Sequence, residues 1–184
     1  MIDLIKEYTG NIKKLCDELD MQSMRLVLEK LSEAHENKKR IFVAGNGGSA
    51  ATANHFACDF GKNAVKGDDN RVKIISLSSN IETVTALGND ISYDSVFSEQ
   101  LKNLMEDGDT VMLISASGNS PNVIKAAEYA KSRNGYVIAL TGFSGGKLMQ
   151  TADVCVNIGS DSYEKIEDMH LMLTHIIVWW FKSR

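Results

Sequence analysis

In Ile41-Phe42-Val43-Ala44-Gly45-Asn46-Gly47-Gly48-Ser49 a short apolar run gives way to a glycine-rich turn. A helical pattern then follows, Ser49-Ala50-Ala51-Thr52-Ala53-Asn54-His55-Phe56-Ala57-Cys58-Asp59-Phe60. The run Ile41 to Ala44 reads as a buried parallel strand, since strands covered on both faces are apolar without alternation. Glycine lets the backbone take positive φ and come close to a ligand. Ser49 at a helix start is a capping residue type, and the free N–H groups there favour an anion. The turn is therefore a candidate phosphate site at the carboxyl end of a strand. A tight turn alone also accounts for the glycines, so the reading needs support from elsewhere in the chain.

Working outward, strands and helices alternate from Arg40 onward. Further strands are expected at 72–77, 110–114, 136–140 and 153–158, and helices at 80–87, 96–105 and 122–132, with a long last helix at 163–181. The segment Asn89 to Tyr93 reads as a loop after a helix ended by Gly88, and the polar segment 62–70 as surface loop. This alternation predicts a doubly wound, three-layer α/β sandwich with a five-stranded parallel sheet and right-handed crossovers. Ahead of it, apolar residues recur at helical spacing through Leu4, Ile5, Tyr8, Ile12, Leu15 and Cys16, and again through Met24, Val27, Leu28, Leu31 and Ala34. These two amphipathic helices break near Asp20 and precede the first strand. The expected organisation is one domain over 1–184: a helical hairpin over 1–37 used in packing or oligomerisation, then an α/β core over 38–184.

The 184 residues are 43% hydrophobic and 24% charged, with a net charge of −4. Those values fit a globular chain and argue against nucleic acid as a partner, which calls for a basic surface. Cys16, Cys58 and Cys155 are sparse, odd in number and without a CxxC pair, the usage of reduced thiols in a cytoplasmic protein. The first residues lack a signal-peptide pattern. The apolar run at 176–181 falls far short of the ~20 residues of a membrane span. A cytoplasmic location with no membrane partner is expected.

Ligands of open α/β sheets bind beyond the carboxyl ends of the strands. After the third strand stands Ser115-Ala116-Ser117-Gly118-Asn119-Ser120-Pro121, three hydroxyls at a helix start. Capping accounts for Ser120 before Pro121 but not for Ser115 and Ser117, so this loop is the stronger phosphate cradle. His55 and Asp59 lie four apart and share a helix face. Glu167, His170 and His175 punctuate the otherwise apolar last helix. Imidazole with carboxylate at that spacing suits zinc or another divalent ion, while a surface hydrogen-bonded pair is the plain alternative. His170 lies about 140° round the helix from His175 and reads as structural or intersubunit.

Gly45 to Ser49, Ser115 to Ser120 and Leu140-Thr141-Gly142-Phe143-Ser144-Gly145-Gly146 together resemble the sugar isomerase (SIS) family, and within it the phosphoheptose isomerases. The resemblance spans nearly the whole chain. It implies a flavodoxin-like fold in which Ser115, Ser117 and Ser120, with Ala116 in the same loop, hold a phosphate. Asn46, Gly47, Gly48 and Ser49, joined by Asn89, Asp90 and Glu167, would contact the sugar. His55, Asp59, Glu167 and His175 fall on the family's zinc positions, and Asp59, Glu167 and His175 on its catalytic ones. It also implies one Zn2+ per site and a homotetramer with sites at subunit boundaries. Three positions depart from the family pattern: Asp59 stands where glutamate is usual, Glu167 where glutamine is usual, and Ala116 where a hydroxylated residue is common in the phosphate loop.

The resemblance implies an aldose–ketose isomerase converting sedoheptulose 7-phosphate to glycero-manno-heptose 7-phosphate through an enediol. Two alternatives remain open from the sequence. One is a non-catalytic phosphosugar-binding or protein-interaction member, of the replication-initiator-associating type. The other is a diverged isomerase or epimerase acting on another sugar phosphate.

Overall fold

In the computed structural model, which describes residues 1–64 and 70–184, five strands form one parallel sheet. They are β1 (Arg40–Gly45), β2 (Lys73–Ser76), β3 (Thr110–Ser115), β4 (Tyr136–Gly142) and β5 (Val154–Ile158). Their order is β2-β1-β3-β4-β5. This is the flavodoxin-like order, and chain direction across the sheet reverses between β1 and β3. Alternate residues serve opposite faces. Ile41, Val43, Met112, Ile114, Ile138 and Leu140 belong to one core, and Phe42, Ala44, Val111, Leu113, Val137 and Ala139 to the other. Both faces are covered, which is why the strands read as unbroken apolar runs.

The first face is covered by α2 (Met21–Glu36), α3 (Gly48–Asn63) and α8 (Tyr163–Lys182). Phe60 of α3 meets Phe181 of α8 edge to face at 4.8 Å and stacks on Phe56 at 5.0 Å. Truncating a fully buried phenylalanine of this kind to alanine costs about 3–5 kcal/mol. The second face is covered by α5 (Val96–Leu104), α6 (Pro121–Ser132) and α7 (Gly146–Thr151), through Phe97, Leu101, Val123, Ala127 and Leu148. The expected α/β architecture is what the chain forms.

The N-terminal pair is α1 (Ile2–Asp17) followed by α2, and the break at Asp20 has a cause. The Asp20 carboxylate caps α2 by accepting from the N–H groups of Gln22 and Ser23. Helix α2 buries Met24, Val27, Leu31 and Ala34 in the first core. In α1 only Leu15 is buried, and Ile2, Leu4 and Ile5 stand exposed. Tyr8 ties α1 to α8 by donating to Asp168 at 2.7 Å, which pushes its phenol pKa up to about 12.

Three local expectations change. Helix α4 (Ile81–Leu87) ends at its expected C-cap Gly88, but Gly88 has a right-handed helical φ of −64°, and the chain goes on into a π turn over Gly88–Ser92 and a 3-10 turn over Tyr93–Ser95. The expected loop at 89–93 is thus helical. Helix α7 was not read from the sequence. It starts where Gly145 takes φ 83°, open to glycine without a Cβ penalty. The polar segment 62–70 begins inside α3, and 65–69 lie outside the described residues.

Candidate active site at the β1/β3 switch point

Register sets the site. Gly45 pairs with Ile114, so the turn after β1 and the serine loop after β3 leave the sheet side by side. Between them is a cavity of about 200 Å³. Asn46 and Ser49 line it from the first loop, Ser115, Ala116, Ser117 and Ser120 from the second, and Tyr163 and Glu167 from α8. A crevice outside the strand ends at the switch point is where this topology holds ligands. A cavity of about 560 Å³ lies elsewhere, between α1 and the β5–α8 connection, and contains none of the expected site residues.

The glycine turn is built by close approach. Gly47 is the N-cap of α3 with φ 53°, and Ser49, expected there, is instead buried within the first turn. A Cβ on Gly45 would lie 2.7 Å from the Ser49 side chain. A Cβ on Gly48 would lie 2.3 Å from Glu167 Oε2. The bare backbone at position 48 is therefore what admits the Glu167 carboxylate to the start of α3.

In the serine loop the hydroxyls face one another. Ser115 Oγ lies 3.4 Å from Ser120 Oγ. Ser120 is the N-cap of α6, yet its side chain makes no capping bond, so capping explains not even this serine. Ser117 Oγ accepts from the Asn119 N–H at 3.2 Å and keeps its own proton to donate. The β4–α7 turn supports the loop from behind. The Gly142 N–H donates to the Ala116 carbonyl at 2.8 Å and the Leu148 N–H to the Gly118 carbonyl at 2.9 Å. Among the described residues no Lys or Arg lines the cavity. Hydroxyls at a helix start are the anion-binding groups it offers.

A second cluster sits where α3 and α8 run alongside each other. His55 Nε2 faces His175 Nε2 at 2.8 Å, and Asp59 Oδ2 lies 3.4 Å from His55 Nε2. One ligand atom from each residue fits within a 4.8 Å span. The trio is partly solvent-exposed, with 47% of the His55 and 28% of the Asp59 side chain accessible. Two imidazoles and a carboxylate whose ligand atoms lie this close together are a donor set suited to zinc. The resemblance puts Glu167 with this trio, whereas here its carboxylate lies over Gly48. Glu167 precedes His175 by eight residues, about 12 Å of helical rise, and belongs to the serine cavity.

Other expected residues fall outside both clusters. Asn89 and Asp90 are exposed on the π turn, bonded to each other at 2.8 Å, and do not line the cavity. His170 is fully buried and its Nε2 lies 3.0 Å from the Thr141 carbonyl. Burial lowers its pKa to about 4, and of the two roles expected, structural or intersubunit, its place inside the fold favours the structural one.

Two residues the sequence reading passed over complete the site. Asn122, 2% exposed at the start of α6, exchanges two amide hydrogen bonds of 2.9 Å with Asn46. The Tyr93 hydroxyl also donates to Asn46 Oδ1, at 2.9 Å. The one cue for Asn122 was its place directly after Pro121 at the helix start. Tyr93 had no cue, since its segment read as loop.

Comparison with known proteins agrees with this geometry. Residues 7–142 match the family model described as the SIS domain. The chain is 40% identical over 159 residues to a Thermoplasma acidophilum protein named "Probable phosphoheptose isomerase", covering 86% of this chain and 87% of that one. It is 36% identical over 182 residues to the phosphoheptose isomerase of Aneurinibacillus thermoaerophilus, covering 96% and 91%. The solved phosphoheptose isomerase of Neisseria gonorrhoeae superposes with a TM-score of 0.91 at 31% identity, over 100% of this chain and 97% of that one. With a β1/β3 cavity, a serine loop and a match over most of its length, the chain belongs to the SIS domain family.

Proposed function

We propose that this protein is a sugar-phosphate isomerase that interconverts sedoheptulose 7-phosphate and glycero-manno-heptose 7-phosphate. The observation that carries the reading is the pairing of a serine-lined cavity with a His-Asp-His cluster on the two helices that border it. The names of its relatives point the same way. In this reading Ser115, Ser117 and Ser120 hold the phosphate, with the Ala116 backbone in the same loop. Asn46, the exposed backbone of Gly47 and Gly48, and Ser49 meet the sugar. Nothing in the geometry brings Asn89 and Asp90 to the cavity, and the reading does not use them.

The reaction moves one proton between neighbouring carbons and one between neighbouring oxygens. A carboxylate takes the proton from C1 of the ketose while the C2 oxygen gains one, giving an enediol. The proton then returns to C2, and the C1 oxygen gives up its own to leave an aldehyde. The base is Asp59 or Glu167, and His175 moves the proton between oxygens. Glu167 is the carboxylate inside the cavity, whereas Asp59 lies beside His175. His55, Asp59 and His175 would hold a zinc ion, with Glu167 joining them only by turning away from Gly48. A bound zinc would act as a Lewis acid that polarises the sugar oxygens.

Exposed Ile2, Leu4 and Ile5 on α1 support assembly into a tetramer, and free Cys16, Cys58 and Cys155 support a reducing, cytoplasmic location. Among the described residues no helix is long and apolar enough to cross a membrane. The test is turnover of sedoheptulose 7-phosphate by the wild type and by His175→Ala. Turnover lost in the variant supports the reading. A wild type that binds the sugar phosphate without converting it overturns the isomerase assignment and favours a binding protein.

A further inference from the structure

Asn46 lines the cavity with a side-chain amide that is held from two other elements. Its Oδ1 accepts from Asn122 Nδ2 at 2.9 Å and from the Tyr93 hydroxyl at 2.9 Å. An amide oxygen has two lone pairs, so this one is saturated. One Nδ2 proton is given to Asn122 Oδ1, also at 2.9 Å. The second Nδ2 proton is the only hydrogen-bonding capacity Asn46 retains. Half-buried, it lines the cavity beside Ser49 and the serine loop.

We infer that Asn122 and Tyr93 are positioning residues that lock the Asn46 amide so that it offers the ligand an N–H and no acceptor. The partner of that N–H is an oxygen with lone pairs to give, a carbonyl or an enediolate oxygen of the sugar. The inference rests on the sugar-phosphate reading above and sharpens it. A freely turning asparagine presents oxygen or nitrogen with little preference, whereas this one has its sense fixed. Asn122 can supply the lock because it is buried at the N-terminal end of α6, directly after the serine loop. Its amide thus ties the glycine turn to the phosphate-holding loop. Tyr93 supplies the second donor from the 3-10 turn that follows the π turn. That helical excursion places its ring beside Gly88, with Cδ2 3.7 Å from a Cβ built there.

The test compares wild type, Tyr93→Phe, Asn122→Asp and Asn46→Ala. Asn122→Asp keeps the acceptor for Asn46 Nδ2 and loses the donor to Asn46 Oδ1. Binding of inorganic phosphate and of sedoheptulose 7-phosphate is measured by calorimetry, alongside turnover and thermal melting. The expected result is unchanged phosphate affinity, a fall of about 10-fold or more in the preference for the sugar phosphate, and a lower kcat, since small misplacements of a contact carry losses of up to about a hundredfold. Asn122→Asp combined with Asn46→Ala should lose no more than Asn46→Ala alone, because both act through one contact. Equal loss for both ligands with a lowered Tm, an unchanged preference, or additive losses would each overturn the lock. A wild type that prefers the sugar phosphate but does not turn it over sinks the isomerase reading, and the binding preference still decides the lock. A wild type with no preference for the sugar sinks the lock.

Discussion

Glu167 occupies the space that a side chain at position 48 would need: a Cβ on Gly48 would lie 2.3 Å from Glu167 Oε2 and 2.8 Å from Oε1. Gly48 takes no positive φ, so its backbone alone does not require glycine. The requirement comes from the carboxylate. Gly48→Ala should therefore displace Glu167 from the cavity while leaving the helix intact. In a helix, alanine is favoured over glycine by about 1 kcal/mol. The expected outcome is a Tm equal to or above wild type, with turnover of sedoheptulose 7-phosphate reduced by about 10- to 100-fold. Undiminished turnover would mean that the Glu167 carboxylate contributes nothing from its place over Gly48.

The His55–Asp59–His175 cluster predicts stabilisation by zinc. A ligand at 100 times its Kd stabilises the folded state by about 2.7 kcal/mol. Thermal melting with added zinc should show a rise in Tm, and native mass spectrometry should show one ion per chain. In His55→Ala and in Asp59→Ala the rise should largely vanish. Because the trio is partly exposed, neither truncation should lower the metal-free Tm by much. A zinc-dependent rise that persists in both variants would place the ion elsewhere.

How much of this was written in the sequence depends on the range of the interactions. The strands were legible because the apolar runs at Ile41 and Thr110 need cover on both faces, and the serine loop because three hydroxyls exceed what capping explains. His55 and Asp59 could be paired because four residues on a helix fix a shared face. Glu167 joins them only through the family resemblance, because spacing along one helix does not pair it with residues of another. Eight residues on α8 is a long axial step, and only the packing of α3 against α8 shows which end of α3 each residue meets. The Asn46–Asn122 bond spans two crossovers, and no local pattern announces it. The π turn escaped because a glycine that ends an α-helix reads as the start of a loop, although glycine also adopts right-handed helical φ.

Ser120 separates a cap from a ligand. An N-cap serine replaced by alanine ordinarily costs about 1 kcal/mol of stability. Here the side chain makes no capping bond and faces Ser115 across the cavity. Ser120→Ala should leave the Tm nearly unchanged and weaken inorganic phosphate binding by about 10-fold or more, as expected for one hydrogen bond to a charged group. Calorimetry with phosphate and a thermal melt decide it. A lowered Tm with unchanged phosphate affinity would assign the hydroxyl to the helix instead.

His170 makes the fold acid-sensitive in a way that can be isolated. It is buried, with Nε2 against the Thr141 carbonyl and, among the described residues, no partner for Nδ1. Burial lowers its pKa from 6.5 to about 4, so the folded chain keeps it neutral while the unfolded chain takes up a proton first. Stability from this group is thus fully present above about pH 6.5 and is lost as pH falls towards 4. The whole shift is worth on the order of 3 kcal/mol. Burial lowers the His35 pKa as well and adds a slope of the same sign. His170→Gln keeps a donor for the Thr141 carbonyl and does not titrate. Urea unfolding at pH 7 and pH 4.5 should show a large loss for the wild type and a distinctly smaller one for the variant, with His35 supplying part of the remainder. Equal losses in the two proteins would mean that His170 is already solvated or paired in the native state, and its neutral burial against β4 would have to be given up.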